Sequence, residues 1–492
     1  MKLRDLMEQV EYKCILGTEE VDISSVVYDS RKVEKGSLFV CMKGFQTDGH
    51  QYIPSAVEKG AVAILAEDEV EASVVGENVA VLQVKDARAA LALLSAKWFD
   101  YPAKKMTMIG LTGTKGKTTT AHMIKKIFEE AGNAVGMIGT LGAYIGEEKM
   151  ETNNTTPESY ELHSLFHKMY EKGCKYVVME VSSQALKLNR TLGITFDYGV
   201  FLNLSPDHIS PGEHADFEEY KSCKKLLFKQ VKKALINMDD TYGPEFLEEA
   251  NDAVKLSAEK EADYMAKNIE NLWEKETLGV TFEVCGKMDG KAIISMPGKF
   301  NVQNALTAIA IAHMEDVPSD VIASGLKKVF VKGRTQVIGQ AADIATFIID
   351  YAHNAISMES LLSMLKAYNP NRLICLFGGG GNKPKQRRYD MGMMAGKYAD
   401  LTILTEDNPR FESIDDINDD IIVGLDVHQG KYEIIKDRKE AIHHLMDTAR
   451  PGDIVALIGK GHETYQDVMG KKYYFCEEEI ILDYLKEKYE RA

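Results

Sequence analysis

The run Leu111–Thr120, LTGTKGKTTT, gathers two glycines, two lysines and a series of hydroxyls into ten residues. It follows the apolar run Met106–Gly110 and opens a helix-like segment, Ala121–Ala131. A strand, a glycine loop and a helix in that order form a phosphate cradle. Glycines let backbone N–H groups turn toward phosphate oxygens, and the helix N-terminus adds a favourable dipole. Gly113, Thr114, Lys115, Gly116 and Thr119 would line the cradle, Lys117 would reach the β- and γ-phosphates, and the Thr118 hydroxyl would ligate Mg²⁺. The full G-x-x-x-x-G-K-[ST] pattern wants glycine where Leu111 stands. An ordinary glycine turn is the alternative; the flanking strand and helix favour a nucleoside triphosphate site.

Other polar clusters stand at the ends of apolar runs. Glu180 in Glu180–Gln184 suits a hard cation, with a strand-end capping acid as the alternative. Asn203–His208 brings a histidine that is either a ligand or structural. Tyr220–Phe228, YKSCKKLLF, reads as a basic helix start, whose lysines would ordinarily be solvated. In Pro297–Ala305, Asn301 and Asn304 either cap a helix or read a purine edge. Further on come Asp350–Asn354, the four glycines Gly378–Gly381, Asp407–Arg410 (DNPR) and Gly459–Glu463 (GKGHE). Arg410 suits a bidentate carboxylate and Glu463 an ammonium. Together they describe a seat for a zwitterion such as a free amino acid; separate surface salt bridges are the plainer alternative.

These clusters need parallel strands to present them. Tyr176–Val181, Tyr198–Leu204 and Ala234–Met238 are apolar runs followed by polar or helical stretches, and Thr346–Asp350, Leu373–Phe377, Leu401–Thr405 and Ile454–Ile458 repeat the rhythm. That alternation predicts helix-covered parallel sheets, with ligands beyond the strands' carboxyl ends. Residues 1–98 hold shorter pieces (Val26–Tyr28, Ser37–Cys41, Val62–Ala66) around a helix-like Tyr52–Lys59, and Tyr101–Lys105 reads as a connector. The expected organisation is α/β in three domains, 1–98, 99–332 and 333–492. A chain of 492 residues is too long for one core. A formal net charge of −16 argues against non-specific nucleic-acid binding. Seven scattered cysteines without a C-x-x-C pair suggest reduced thiols. No run approaches the roughly 20 apolar residues of a membrane helix, and no signal segment opens the chain. A cytoplasmic monomer without membrane insertion is the expectation.

Taken in order, the clusters resemble the Mur ligase family over essentially the whole chain, and within it the branch that adds the third residue of the muramoyl peptide. Asp29-Ser30-Arg31, Asp48-Gly49-His50 and Gly60-Ala61 look like the family's UDP-sugar-binding domain. The resemblance implies a central P-loop ATPase-like domain and a C-terminal Rossmann-like domain. It gives Ser30, Thr155, Thr156, Ser183 and Arg190 to the UDP-N-acetylmuramoyl-L-alanyl-D-glutamate substrate. Lys224 falls where the family carries a carbamylated lysine, a modification that converts an ammonium into a carboxylate-like anion. Glu180, His208 and Lys224 would surround the second Mg²⁺, and Asn304, Arg334 and Asp350 would line ATP. DNPR resembles the signature of enzymes adding meso-diaminopimelate, with Arg410 on the distal carboxylate and Arg388, Asp407, Asn408, Gly459 and Glu463 completing the pocket.

The implied reaction is ATP-dependent amide formation through an acyl phosphate, with Lys117, Lys224, Glu180 and His208 as the catalytic set and a domain closure excluding water. The chain departs from the family pattern at Gly379–Pro384 (GGGNKP), where CGGDRD is usual, and at Tyr389, where proline is usual. These departures keep L-lysine open as the amino acid. More remote alternatives are a folylpolyglutamate synthetase-like ligase and a P-loop ATPase without ligase activity.

Overall fold

The chain was analysed as a computed structural model. The structure describes residues 1–490 other than 45, 46, 77, 208, 211, 275 and 276, so the expected metal ligand His208 lies outside the described residues. Contacts divide the chain into two compact units, Met1–Met265 with Leu306–Ile322, and Ala266–Ala305 with Ala323–Ala492.

The first unit contains two sheets. The N-terminal one runs in the order Lys13–Leu16, Ala80–Gln83, Ala63–Ala66, Ser37–Val40, Ser25–Val27. All its neighbours are parallel except the first pair. The second sheet has a parallel core in the order Ala253–Ser257, Val231–Asn237, Phe196–Phe201, Thr107–Thr112, Tyr176–Glu180, Val135–Gly139. Tyr176–Glu180 and Val135–Gly139 are buried at every position. Burial on both faces is why such strands read as continuous apolar runs rather than alternating ones. Antiparallel Gly142–Ile145 and Glu148–Met150 extend the edge. Helix Lys117–Glu130 covers the sheet through Phe128, whose ring stacks on Tyr176 at 3.9 Å between centroids.

The P-loop strand Thr107–Thr112 lies between Tyr176–Glu180 and Phe196–Phe201. After it the chain builds toward one side of the sheet and then crosses back to the other. This reversal leaves a crevice at the carboxyl ends, where open α/β sheets bind ligands. The loop closes on Gly116, which takes a left-handed φ of 87° as the N-cap and lets the helix begin at Lys117, a turn earlier than the apolar pattern suggests. YKSCKKLLF is not a helix start. Asp216 caps the Glu219 N–H, so the helix is Phe217–Lys225 and Lys224 falls in its last turn.

In the second unit the main sheet runs Gln336–Ile338, Thr346–Asp350, Ile454–Ile458, Leu373–Phe377, Leu401–Leu404, Tyr432–Ile434, parallel except for the first pair. Helices Ala355–Lys366, Lys385–Tyr398 and Ile414–Asp426 fill one face with Leu362, Met391 and Ile421. Arg438–Thr448 and Glu477–Glu490 fill the other with Ile442, Leu445 and Ile481. The chain is thus an α/β protein of the doubly wound kind, with site candidates at strand ends. Among the described residues no helix is long and apolar enough to cross a membrane.

Candidate active site

Four parallel strands of the first unit deliver their carboxyl ends to one place. The P-loop leaves Thr112, Thr140 follows Gly139, Glu180 ends its own strand, and Asn203 follows Phe201. Asn203 clasps the loop: its Oδ1 accepts from the Lys115 N–H at 2.9 Å, and its Nδ2 donates to the Lys115 carbonyl at 3.0 Å. The Asn203 carbonyl accepts from the Thr114 N–H at 3.0 Å. Lys117 Nζ folds back on the loop, donating to the Gly113 carbonyl at 2.7 Å and the Thr114 carbonyl at 3.2 Å.

Glu180, buried, is the hub of the site. Its Oε1 accepts from the Thr118 hydroxyl at 2.8 Å and the Thr140 N–H at 3.0 Å, and its Oε2 from the Thr140 hydroxyl at 3.2 Å. Gly139 makes room for this carboxylate, because a Cβ there would stand 2.3 Å from Glu180 Oε1. Thr118 and Glu180 together offer the hard oxygen donors that Mg²⁺ takes.

Lys224 is buried among this machinery. Its Nζ donates to the Gly113 carbonyl at 3.0 Å and sits 4.5 Å from the Tyr220 ring centroid. Burial, reinforced by the positive charge of Lys117, holds its ammonium well below the usual lysine range. A neutral amine is the form that can add CO₂ to give an anionic carbamate.

The residues assigned to the muramoyl peptide form a chain leading to Glu180. Thr155 Oγ1 lies 3.2 Å from Thr140 Oγ1, and the Thr156 hydroxyl donates to the Glu180 carbonyl at 2.9 Å. Arg190 donates through Nη1 to the Thr156 carbonyl at 3.0 Å and pairs with Glu158 at 2.8 Å. Ser183 Oγ lies 2.9 Å from Nε2 of the buried His214. Ser30 stands apart in the N-terminal sheet region, its carbonyl accepting from Lys59 Nζ at 2.8 Å. Nearby, Asp48, His50 and Asp68 approach closely enough to suggest a metal site. However, His50 Nε2 accepts from the Glu67 and Asp68 N–H groups at 3.1 and 3.3 Å, and Nδ1 meets Asp48 Oδ1 at 2.6 Å. Both ring nitrogens are committed, and the trio is a loop clasp.

In the second unit the amino-acid residues converge. Arg388, Asp407, Asn408, Arg410, Gly459 and Glu463 all line one cavity of about 300 Å³. Close backbone approach shapes it, since a Cβ on Gly381 would stand 1.9 Å from the Pro409 carbonyl oxygen. Arg410 takes a left-handed φ of 53°. Its backbone is pinned to the hairpin Tyr465–Val468/Lys471–Tyr474, with its N–H on the Asp467 carbonyl at 2.9 Å and its carbonyl accepting from the Met469 N–H at 2.8 Å. The Arg410 guanidinium donates to the Gly381 carbonyl at 2.9 Å. Arg388 is buried and already neutralised, by Glu412 at 2.7 Å and Asp420 at 2.9 Å.

The nucleotide candidates occupy two places in this unit. Asp350 accepts from the Thr335 and Ala352 N–H groups, each at 2.7 Å, and Arg334 lies 5.1 Å over the Tyr351 ring. Burial pushes the Asp350 carboxyl up, against those two donors and Arg334. Asn304, on helix Phe300–Met314, donates to Asn301 Oδ1 at 3.0 Å, and Asn301 in turn caps the Pro297 carbonyl at 2.8 Å.

Thr140, Asn203, His214 and Lys460 hold these arrangements together without having been assigned a role from the sequence. The usable signals were positional: Thr140 and Asn203 follow buried strands, and Lys460 sits between glycines inside GKGHE.

Comparison with known proteins agrees with this geometry. Models of the Mur ligase family catalytic domain, the Mur ligase middle domain and the Mur ligase glutamate ligase domain match residues 22–99, 111–312 and 333–461. The chain is 40% identical over 495 residues to a UDP-N-acetylmuramoyl-L-alanyl-D-glutamate–2,6-diaminopimelate ligase of Clostridium perfringens, covering 99% of this chain and 100% of that one. It is 42% identical over 491 residues to the enzyme of the same name from Caldanaerobacter subterraneus, covering 99% of each. A solved structure of a ligase of that name superposes with a TM-score of 0.76 at 27% identity, covering 99% of both chains. With these matches, a P-loop backed by Glu180 and a cavity lined by acidic and basic side chains at the ends of a second parallel sheet, the chain belongs to the Mur ligase family.

Proposed function

We propose that this protein is an ATP-dependent ligase that joins 2,6-diaminopimelate, in its meso form, to UDP-N-acetylmuramoyl-L-alanyl-D-glutamate, supplying a peptidoglycan precursor in the cytoplasm. The observation that carries the reading is the single cavity lined by Arg410, Asp407 and Glu463, which offers an anion clamp and ammonium partners together. Diaminopimelate carries a carboxylate at each end, so a guanidinium beside an ammonium seat has a use that lysine would not give it. In this reading residues 1–98 bind the UDP-sugar, 99–332 bind ATP and 333–492 bind the amino acid, and the protein acts as a monomer.

The chemistry follows from the groups present. A carboxylate resists attack by an amine at neutral pH, so its oxygen first attacks the γ-phosphorus of ATP, giving an acyl phosphate and ADP. Lys117 and the helix N-terminus offset charge on the phosphates. Thr118 and Glu180 would hold one Mg²⁺, and carbamylated Lys224 with Glu180 and His208 a second. When bound, these ions neutralise phosphate and carboxylate charge. Thr155, Thr156, Ser183 and Arg190 orient the peptide, and Asn304, Arg334 and Asp350 the nucleotide. The diamino acid then attacks with its neutral amine, the tetrahedral adduct expels inorganic phosphate, and the amine proton leaves to solvent. No enzyme nucleophile is required, so the rate comes from positioning and electrostatics.

The test offers ATP and the UDP-linked dipeptide with either meso-diaminopimelate or L-lysine, following phosphate release and product mass. Diaminopimelate-dependent release with the tripeptide mass is expected; turnover with lysine alone refutes the substrate assignment. The Gly379–Pro384 departure and the neutralised Arg388 make lysine the specific competitor.

A further inference from the structure

Lys460 is fully buried, yet it is flanked by Gly459 and Gly461 and lies beneath residues that line the amino-acid cavity. Its Nζ donates to Asn408 Oδ1 at 2.7 Å and to the Tyr465 carbonyl at 2.8 Å. The same nitrogen stands 3.1 Å from Asp407 Oδ1 and 3.7 Å from Glu463 Oε2. One ammonium thus touches both cavity-lining segments, DNPR and GKGHE, and the hairpin that follows them.

Asn408 Oδ1 accepts from Lys460 and from the Asp467 N–H at 2.9 Å, which fixes the amide orientation. Its Nδ2 must then point the other way, where it donates to Glu463 Oε2 at 3.1 Å. The carboxylate that could meet a substrate ammonium is thus held by a relay that starts at Lys460.

We propose that Lys460 is a positioning residue that determines specificity: through Asn408 it aims Glu463 at a substrate ammonium. Lys460 does not touch substrate in this account. The inference rests on the proposed function, because it needs a diamino acid in this cavity.

The test compares a diamino acid with its monoamine counterpart, 2-aminopimelate, which keeps both carboxylates and loses one ammonium. For the full-length protein and Lys460→Met, kcat/KM is measured for both, with ATP and the UDP-linked dipeptide saturating. The wild type should favour the diamino acid. In Lys460→Met that preference should fall by at least about tenfold, carried in KM for the diamino acid. A merely structural role lowers kcat/KM for both compounds alike, and an unchanged ratio overturns the proposal. Should Lys460→Met not fold, Asn408→Leu removes the link through which Lys460 acts and leaves the buried charge in place; an unchanged ratio there overturns it equally. If wild type uses neither diaminopimelate nor lysine, the proposed function itself fails. If it uses lysine, the same ratio is read with lysine against norleucine, so the two failures remain distinct.

Discussion

Arg410 offers the sharpest perturbation of substrate choice. Its side chain is 31% exposed, with one guanidinium nitrogen on the Gly381 carbonyl and Nε 3.7 Å from Asp467 Oδ2, so the remaining donors can meet a carboxylate. A hydrogen bond to an ionised partner is worth roughly 1.5–3 kcal/mol, and partial exposure pulls the figure toward the lower part of that range. About 2 kcal/mol corresponds to about 30-fold in kcat/KM. The left-handed backbone favours Arg410→Asn over Arg410→Ala, because asparagine tolerates that conformation and the side-chain effect is then read without added strain. Steady-state phosphate release is measured with diaminopimelate and with L-lysine, which is diaminopimelate without its distal carboxylate and is supplied at high concentration as the poorer substrate. Arg410→Asn should lose about 30-fold with the first and less than about threefold with the second. Equal losses for both would show that Arg410 supports the loop without reading the carboxylate.

Three further outcomes follow. Lys224→Ala should be nearly inactive and partly restored by short-chain carboxylic acids that replace the carbamate, whereas full activity in the unsupplemented variant would reduce Lys224 to a packing residue. Gly381→Ala places a methyl against the Pro409 carbonyl, so KM for the amino acid should rise while KM for ATP holds; an unaffected amino-acid KM would contradict the close approach. His163 is buried against Phe166, both ring nitrogens lack partners among the described residues, and burial pushes its imidazole down to about 4. Its folded value lies below its unfolded one, so the unfolded chain binds the extra proton and stability falls as pH drops from about 6.5 toward 4, by up to about 3 kcal/mol. Denaturant midpoints across that window should flatten in His163→Leu, and an unaltered pH dependence would rule out His163 as the cause.

The legibility of this chain follows burial. Thr346–Asp350, Leu373–Phe377 and Ile454–Ile458 have the bounds expected from their apolar runs, because both faces of a parallel strand are covered. Lys13–Leu16 gave no such signal: it is an edge strand with every other residue exposed. The cavity residues were legible as clusters because strand ends concentrate polar side chains. Lys460 was not, because a lysine between glycines looks solvated until two distant loops close over it. Thr140 and Asn203 are single polar residues whose importance appears only when neighbouring strands bring Glu180 and the P-loop beside them.

The central claim is that ATP activates a substrate carboxylate for capture by an amino acid. Oxygen-18 in the glutamate carboxylates of the UDP-linked dipeptide tests it most directly, with the released phosphate examined by mass spectrometry during turnover with diaminopimelate. Transfer of one labelled oxygen to each phosphate is the predicted result, with the tripeptide product short by the same oxygen. Unlabelled phosphate would mean that water takes the γ-phosphoryl group, and the ligase account would be contradicted.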